Sequence, residues 1–104
     1  MSAPLTGPTG LKAEQKFYNT IGISWEAEQD PCELKPDTYK VYRVAGIEND
    51  GDVIRKTGSL VGTTTDLLMV DLIPYDTTGF YSYTTVAIHQ NVESEPTIGK
   101  LVYL

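Results

Sequence analysis

The chain has 104 residues and is poor in the residue types that most often carry chemistry. Cys32 is its one cysteine, which excludes an internal disulfide, and His89 is its one histidine. One residue of each kind is too few for a zinc site, and it leaves a single candidate pair of nucleophile and base. We therefore predict a protein that is not an enzyme, and we assign it no cofactor and no metal site.

Basic residues are also scarce, because 8 lysines and arginines stand against 14 aspartates and glutamates, for a formal net charge of −6. An acidic domain repels the phosphate backbone, so nucleic acid is not an expected partner. The same repulsion disfavours anionic membrane surfaces, and no apolar run is long enough to enter and cross a bilayer. Apolar residues make up 40% of the chain, which predicts a folded, β-leaning domain.

The first seven residues are small and rich in proline and glycine, which is typical of a linker or of a domain cut from a longer chain. They contain neither basic residues nor an apolar segment, so they do not resemble a signal peptide. Residues 8–104 suffice for one domain with a single core. A single cysteine fits the cytoplasm and disulfide-free surface proteins alike, so the compartment stays open, and we favour an extracellular or cell-surface location.

The stretch from Leu72 to Ala87 is the most informative part of the chain. Pro74 has no backbone N–H and cannot lie inside a central strand, so a strand that ends at Leu72 must turn there. β-Branched and aromatic residues resume at Tyr81, and Tyr81, Tyr83 and Ala87 then point to one face. This pattern predicts two strands joined by a turn.

Two earlier segments alternate in the same way. Residues 20–25 and 38–44 both alternate apolar and polar side chains, and a polar loop with two prolines separates them. Each is therefore predicted to be a strand with one buried face. The side chains expected to face the core from these two strands are Ile21, Ile23, Trp25, Tyr39 and Val41.

Three of these features resemble fibronectin type III domains. They are Leu-x-Pro before Tyr-x-Tyr-x-Thr-x-Ala at residues 72–87, Trp25 at the end of the second strand, and Tyr-x-Val-Tyr-Arg from Tyr39, a motif common in the family's bacterial members. The resemblance covers about Thr6 to Leu104 and points to a bacterial or bacteriophage-like member. It implies an all-β, seven-stranded antiparallel immunoglobulin-like sandwich over residues 8–104. It also implies that Tyr81 is buried and that its hydroxyl bonds to backbone just upstream.

The family pattern also assigns the remaining strands. It predicts a first strand at residues 8–13, a short strand at 53–57 after a turn at 49–52, and a strand at 66–72 with an irregularity after Met69. Leu68 and Val70 then face outward, towards a neighbouring domain or beneath a loop. The complete predicted core is Leu11, Ile21, Ile23, Trp25, Tyr39, Val41, Leu67, Met69, Leu72, Tyr81, Tyr83 and Ala87.

The loops offer two weak candidates for chemistry. In the implied fold the loops that hold Cys32 and His89 share one pole, where an imidazole could activate a thiol. No third group is visible to orient the pair, so we interpret them as unrelated loop residues. Residues 49–52, Asn-Asp-Gly-Asp, supply oxygen ligands that calcium prefers but lack the spacing of an EF-hand, and turn chemistry alone explains them.

Recognition of a partner is the remaining possibility. Acidic residues crowd the loop at 26–37, where a solvated loop is the simplest interpretation and ion or partner recognition the alternative. Exposed tyrosines can stack on carbohydrate, but tyrosine is also a good strand residue. The acidic residues are Glu26, Glu28, Asp30, Glu33 and Asp37. The tyrosines are Tyr18, Tyr42, Tyr75 and Tyr103. As the surface that contacts a partner we select Tyr42, Leu68, Val70 and His89.

Together these features predict a non-catalytic spacer or interaction module of a larger, secreted or surface bacterial protein. Its partners would be neighbouring domains of the same chain, and the isolated domain would be a monomer. One alternative is a carbohydrate- or protein-binding module that uses exposed tyrosines or the two loops. Another is a structural domain of a bacteriophage virion.

The first prediction concerns the thiol. Because acidic residues near Cys32 disfavour the thiolate, iodoacetamide should alkylate Cys32 at the rate of an ordinary, unactivated cysteine. Mass spectrometry over time measures that rate, with a short unstructured cysteine peptide as the control. Alkylation many times faster than the peptide's would contradict the non-catalytic interpretation.

Overall fold

The computed structural model describes residues 5, 7–17, 19–27, 36–74 and 77–104, which form two antiparallel sheets and one short helix. The first sheet has the strand order β1-β2-β5, and the second has the order β4-β3-β6-β7, with β8 also paired to β6. The predicted all-β antiparallel sandwich is confirmed. In chain order the elements are β1 Thr9–Phe17, β2 Thr20–Glu26, β3 Thr38–Ala45, α1 Gly51–Thr57, β4 Ser59–Thr64, β5 Leu68–Leu72, β6 Phe80–His89, β7 Val92–Glu93 and β8 Lys100–Tyr103.

The core lies between the two sheets and is built by strands with one inward face each. The rings of Trp25 and Tyr39 meet across it, with centroids 5.6 Å apart. Leu5, in the segment predicted as a linker, also packs against this core from a partly buried position. The buried members are Ala13, Ile21, Ile23, Trp25, Tyr39, Val41, Ile73, Tyr83, Ala87 and Val102, and Leu11, Met69 and Tyr81 pack against them from partly buried positions.

Two predicted core residues are wrong, because Leu67 is 41% exposed and Leu72 is 73% exposed. β5 pairs with β2 without any shift of register, and Ile21 lies opposite Asp71. The expected irregularity after Met69 is therefore absent, and the two-residue period of the strand runs on from Met69 through Asp71 to Ile73. This phase turns Leu72 outward, while Leu67 lies in the bend that precedes β5.

The strand predicted at residues 53–57 is also wrong, since Gly51–Thr57 is the helix α1. Asp50 begins it as the N-cap, and its carboxylate accepts a hydrogen bond from the Asp52 N–H at 2.9 Å. The Asp-Gly pair thus begins a helix where the sequence suggested a hairpin turn. The strand that follows β3 in the sheet is instead β4, which pairs with β3.

Strand β6 is buried on both faces because α1 covers its outer side. Ile54 of α1 is fully buried, and Thr84 of β6 donates a hydrogen bond to the Thr97 carbonyl at 2.8 Å. The segment from residue 94 to residue 99 therefore joins the helix in covering this sheet. The outward residues of β6 that it hides are Ser82, Thr84, Val86 and Ile88.

The last strand position is divided into two short pieces. Gln90 and Asn91 have φ values of 49° and 67° and form the tight turn between β6 and β7. Pro96 then interrupts the pairing until β8 begins. Counting β7 and β8 as one, the described residues form about the predicted number of strand positions. Within the described ranges, no helix is long and apolar enough to span a membrane.

The second prediction compares one buried and one exposed apolar residue. Trp25→Ala should lower the free energy of unfolding by about 3–5 kcal/mol, because it empties a large volume in the core. Leu72→Ala should change it by less than about 0.5 kcal/mol, because Leu72 lies outside the core. Urea unfolding followed by circular dichroism measures both. Equal losses would show that the phase of β5 is incorrect.

Candidate interaction surface

The outer face of the first sheet carries a row of exposed apolar side chains. Leu68, Val70 and Leu72, which we call the β5 row, are 61%, 55% and 73% exposed. They lie opposite Ser24, Gly22 and Thr20 of β2, so no large side chain of β2 shields them. β5 is at the edge of this sheet, and no described strand pairs with its other side.

A shallow trough of about 300 Å³ separates the β5 row from the charged side chains of β1. Gly22 forms its floor, and the aliphatic stem of Lys16 lies so close to it that a Cβ at position 22 would collide with it. Lys16 reaches Glu14 at 3.1 Å, and this hydrogen bond lowers the pKa of the Glu14 carboxyl. The face is therefore apolar along β5 and charged along β1.

The backbone of the β5 row faces away from β2. Trp25 donates its N–H to the Leu67 carbonyl at 3.1 Å, and Ile73 donates its N–H to the Asn19 carbonyl at 3.0 Å. Residues alternate along an antiparallel pair, so the odd-numbered residues of β5 bond to β2, and the even-numbered ones direct N–H and C=O to the free edge. In the described part of the chain, no strand pairs with that edge.

A buried carboxylate fixes β5 against the opposite sheet. Asp71, 6% exposed, accepts hydrogen bonds at 2.7 Å from Arg43 of β3 and at 2.7 Å from the Tyr83 hydroxyl of β6. Burial, and then the bond to Asp71, raise the pKa of the Tyr83 hydroxyl. Because Asp71 must point inward to reach both donors, its neighbours Val70 and Leu72 must point outward.

Tyr83 thus donates a buried hydroxyl bond to a carboxylate, whereas the family resemblance implies a bond from Tyr81 to backbone just upstream. Tyr81 is half-buried, and the guanidinium of Arg43 lies 5.8 Å from the centre of its ring. The acceptor expected for Tyr81 lies in the preceding connection, of which residues 75 and 76 are outside the described residues.

Tyr42 and His89 do not join the β5 row. Tyr42 is on the outer face of the second sheet and donates its hydroxyl to Glu93 at 3.0 Å, a carboxylate that Lys40 and Arg55 each approach to 3.6 Å. Burial, and then Glu93, raise the pKa of Tyr42. His89 is at one pole, where its Nδ1 is 3.7 Å from the Asp37 carboxylate.

Several other predicted candidates cannot be placed or have structural roles. Asp50 caps α1, and Asp52 pairs with Arg55 and Lys56. Considering only the described residues, no three acidic, cysteine or histidine side chains are grouped to hold a metal. Tyr103 packs on Phe80 at 54°, so the two rings form no common flat platform for a sugar. Positions outside the described residues are Tyr18, Glu28, Asp30, Cys32, Glu33 and Tyr75.

Solved structures share this arrangement of strands. A fibronectin type III-like protein from Clostridium thermocellum superposes with a TM-score of 0.71 at 23% identity, over 96% of this chain and 92% of that one. The fold is that of a fibronectin type III domain. The FN5 domain of Drosophila Lar is similar too, with a TM-score of 0.63 at 17% identity, over 97% of this chain and 96% of that one.

Longer proteins contain the same fold. Titin domains A168–A170 match with a TM-score of 0.70 at 16% identity, and the alignment spans 97% of this chain but 32% of that one. No protein-family model and no curated protein matches the sequence. The chain thus has the fold of modules that occur within multidomain proteins.

Sequence reasoning missed the Arg43–Asp71–Tyr83 cluster, although one signal for it was present. Asp71 is the one charged residue in a run of apolar residues, and it alternates in phase with Met69 and Ile73. An acid in that phase requires donors from the facing sheet, and Arg43 and Tyr83 supply them.

The third prediction separates the two tyrosines. Tyr83→Phe should cost about 1–3 kcal/mol of unfolding free energy, because it removes a donor from a buried carboxylate. Tyr81→Phe should cost less than about 0.5 kcal/mol, because the ring that packs under Arg43 is retained. Urea unfolding of both variants measures this difference. A larger loss for Tyr81→Phe would show that Tyr81 makes the stabilising hydroxyl bond, as the family pattern indicates.

Proposed function

We propose that this domain is a non-catalytic interaction module of a larger protein, and that the β5 row is its contact surface. The observation that carries the proposal is the coincidence of two features on the same three residues. Leu68, Val70 and Leu72 are each more than half exposed, and their backbone groups face a strand edge with which no described strand pairs.

Simple free-energy arguments support the proposal that a partner covers the β5 row. Apolar side chains in water gain free energy when a partner buries them, and an open strand edge gains hydrogen bonds when another strand or surface approaches. A contiguous apolar patch beside such an edge is typical of surfaces that contact another polypeptide. The row therefore fits a contact surface better than the charged side of β1 does.

The remaining candidates are less suited to this role. Tyr42 already donates its hydroxyl to Glu93, and the aromatic pair of Phe80 and Tyr103 is tilted. The module character is supported by the fold, which also occurs inside longer chains such as the titin segment. The Tyr-x-Val-Tyr-Arg motif from Tyr39 supports a bacterial parent, which we propose to be a secreted or surface protein.

The fourth prediction uses amide hydrogen exchange, with neighbouring residues as internal controls. In the isolated domain at low concentration, the amides of Leu68, Val70 and Leu72 should exchange rapidly, because they point to the free edge. In the intact parent protein they should exchange at least about 10-fold more slowly, because a partner covers them.

The amides of Met69 and Asp71 are the matched controls, since they bond to β2 and should be protected in both samples. NMR on the domain and fragment-resolved mass spectrometry on the parent provide the rates. Unchanged fast exchange at the three edge positions in the parent would overturn the proposed contact surface.

A further inference from the structure

We infer that the partner of the β5 row is a second copy of this chain, which adds its own β5 antiparallel at the free edge about a two-fold axis at Val70. This inference rests on the proposed function, because it names the partner of the same surface. It predicts a weak homodimer in which two three-stranded sheets join into one continuous sheet.

The other strand edges of the described sandwich carry features that oppose such pairing. β1 exposes Lys12, Glu14 and Lys16, and its pairing with β2 is irregular at two places. β4 has a register shift against β3, and Pro96 divides the edge formed by β7 and β8. Natural sheets use charges, prolines and bulges of this kind to prevent edge-to-edge association.

β5 lacks those protections. Its five residues pair with β2 without a shift, and none of its outward side chains is charged. Its one acid, Asp71, points inward and is held by Arg43 and Tyr83. Of the edges that the structure describes, this one is therefore the best suited to accept another strand.

The sequence of β5 is also complementary to itself. About an axis at Val70, Val70 lies opposite Val70 of the second copy, and Leu68 lies opposite Leu72 of that copy. All three residues direct N–H and C=O outward, so each pair exchanges two hydrogen bonds. The two β5 rows then form one apolar band across the joined face, whereas a shift by one residue would break both the bonds and the band.

The flanking charges permit this arrangement but limit its strength. In the same register Asp66 lies opposite Pro74 of the second copy, so no like charges meet at the new seam. Each copy nevertheless carries a formal charge of −6, and the two repel at long range. Association should therefore strengthen as added salt screens this repulsion.

The size of the contact sets the expected affinity. A five-residue strand is about 17 Å long, so the seam is far smaller than the ~800 Å² per partner of a stable complex. The dimer should form at high protein concentration, while dilute solutions contain monomer. Repetition of such domains in a parent assembly would raise the effective concentration and favour the pair.

Sedimentation equilibrium from ~10 μM to ~1 mM, a range suited to such a small interface, tests the dimer. The mean mass should rise towards twice the monomer value, and more so in higher salt. Val70→Lys should weaken association at least about 10-fold, because it sets two ammonium groups across the axis. Ile98→Lys, which changes another exposed apolar residue, and Phe17→Lys, on the same face but on β1, should leave it unchanged.

Disulfide trapping tests the register itself, in a Cys32→Ser background with oxidised glutathione as the oxidant. In the proposed dimer, residue 70 of one copy lies opposite residue 70 of the other. Their Cα atoms would be about 5.5 Å apart, which a disulfide can span, so Val70→Cys should cross-link readily. Leu72→Cys is the matched control, because residues 72 of the two copies would be about 14 Å apart along the seam. Its cross-linking should be at least about 10-fold slower.

Three results would overturn the inference: monomer throughout the concentration range, association that Val70→Lys leaves unchanged, or equal cross-linking at positions 70 and 72. If the intact parent still protected the amides of Leu68, Val70 and Leu72, the proposed function would stand with another partner. Fast exchange of those amides in the parent would instead overturn the proposed function itself.

Discussion

The carboxylate of Asp71 connects the two sheets and determines how β5 presents its residues. It accepts from a cation on β3 and from a phenol on β6, so one buried acid bonds to two strands of the facing sheet. In the opposite phase of β5, Asp71 would leave the interior, and the buried hydroxyl of Tyr83 would lose its acceptor at a cost of about 1–3 kcal/mol, which disfavours that phase. The register of this strand, and with it the outward direction of Leu68, Val70 and Leu72, follows from that constraint.

The rest of the chain covers the outer face of one sheet and leaves a row of apolar residues exposed on the other. On the second sheet, α1 and residues 94–99 cover β6, so this strand is buried on both sides. On the first sheet, β1 carries charged side chains and Gly22 of β2 forms the floor of the trough, and the β5 row is exposed. The outer face of the first sheet thus keeps three exposed apolar residues in one row, beside a strand edge with which no described strand pairs, and our functional proposals refer to that side of the molecule.

Stability and the proposed association therefore depend on the same local arrangement. The buried side of β5 contributes Met69 and Asp71 to the interior, and the exposed side offers apolar atoms and backbone groups to the partner that we propose. A strand with a strict two-residue period must present both sets at once. The proposed contact through β5 would involve no loop or catalytic residue, which agrees with the structural roles found for Asp50, Asp52 and Tyr42.

The sequence by itself determined the sandwich and most of its core, because β2, β3 and β6 each alternate around large buried residues such as Trp25, Tyr39 and Tyr83. Tertiary structure alone decided the phase of β5, since apolar residues occupy both of its faces and local pattern cannot choose between them. Asp71 makes that choice through Arg43 and Tyr83, which are 28 and 12 residues away in the chain. The same limit applies to α1, whose β-branched residues suggest a strand until Ile54 is seen packed on β6.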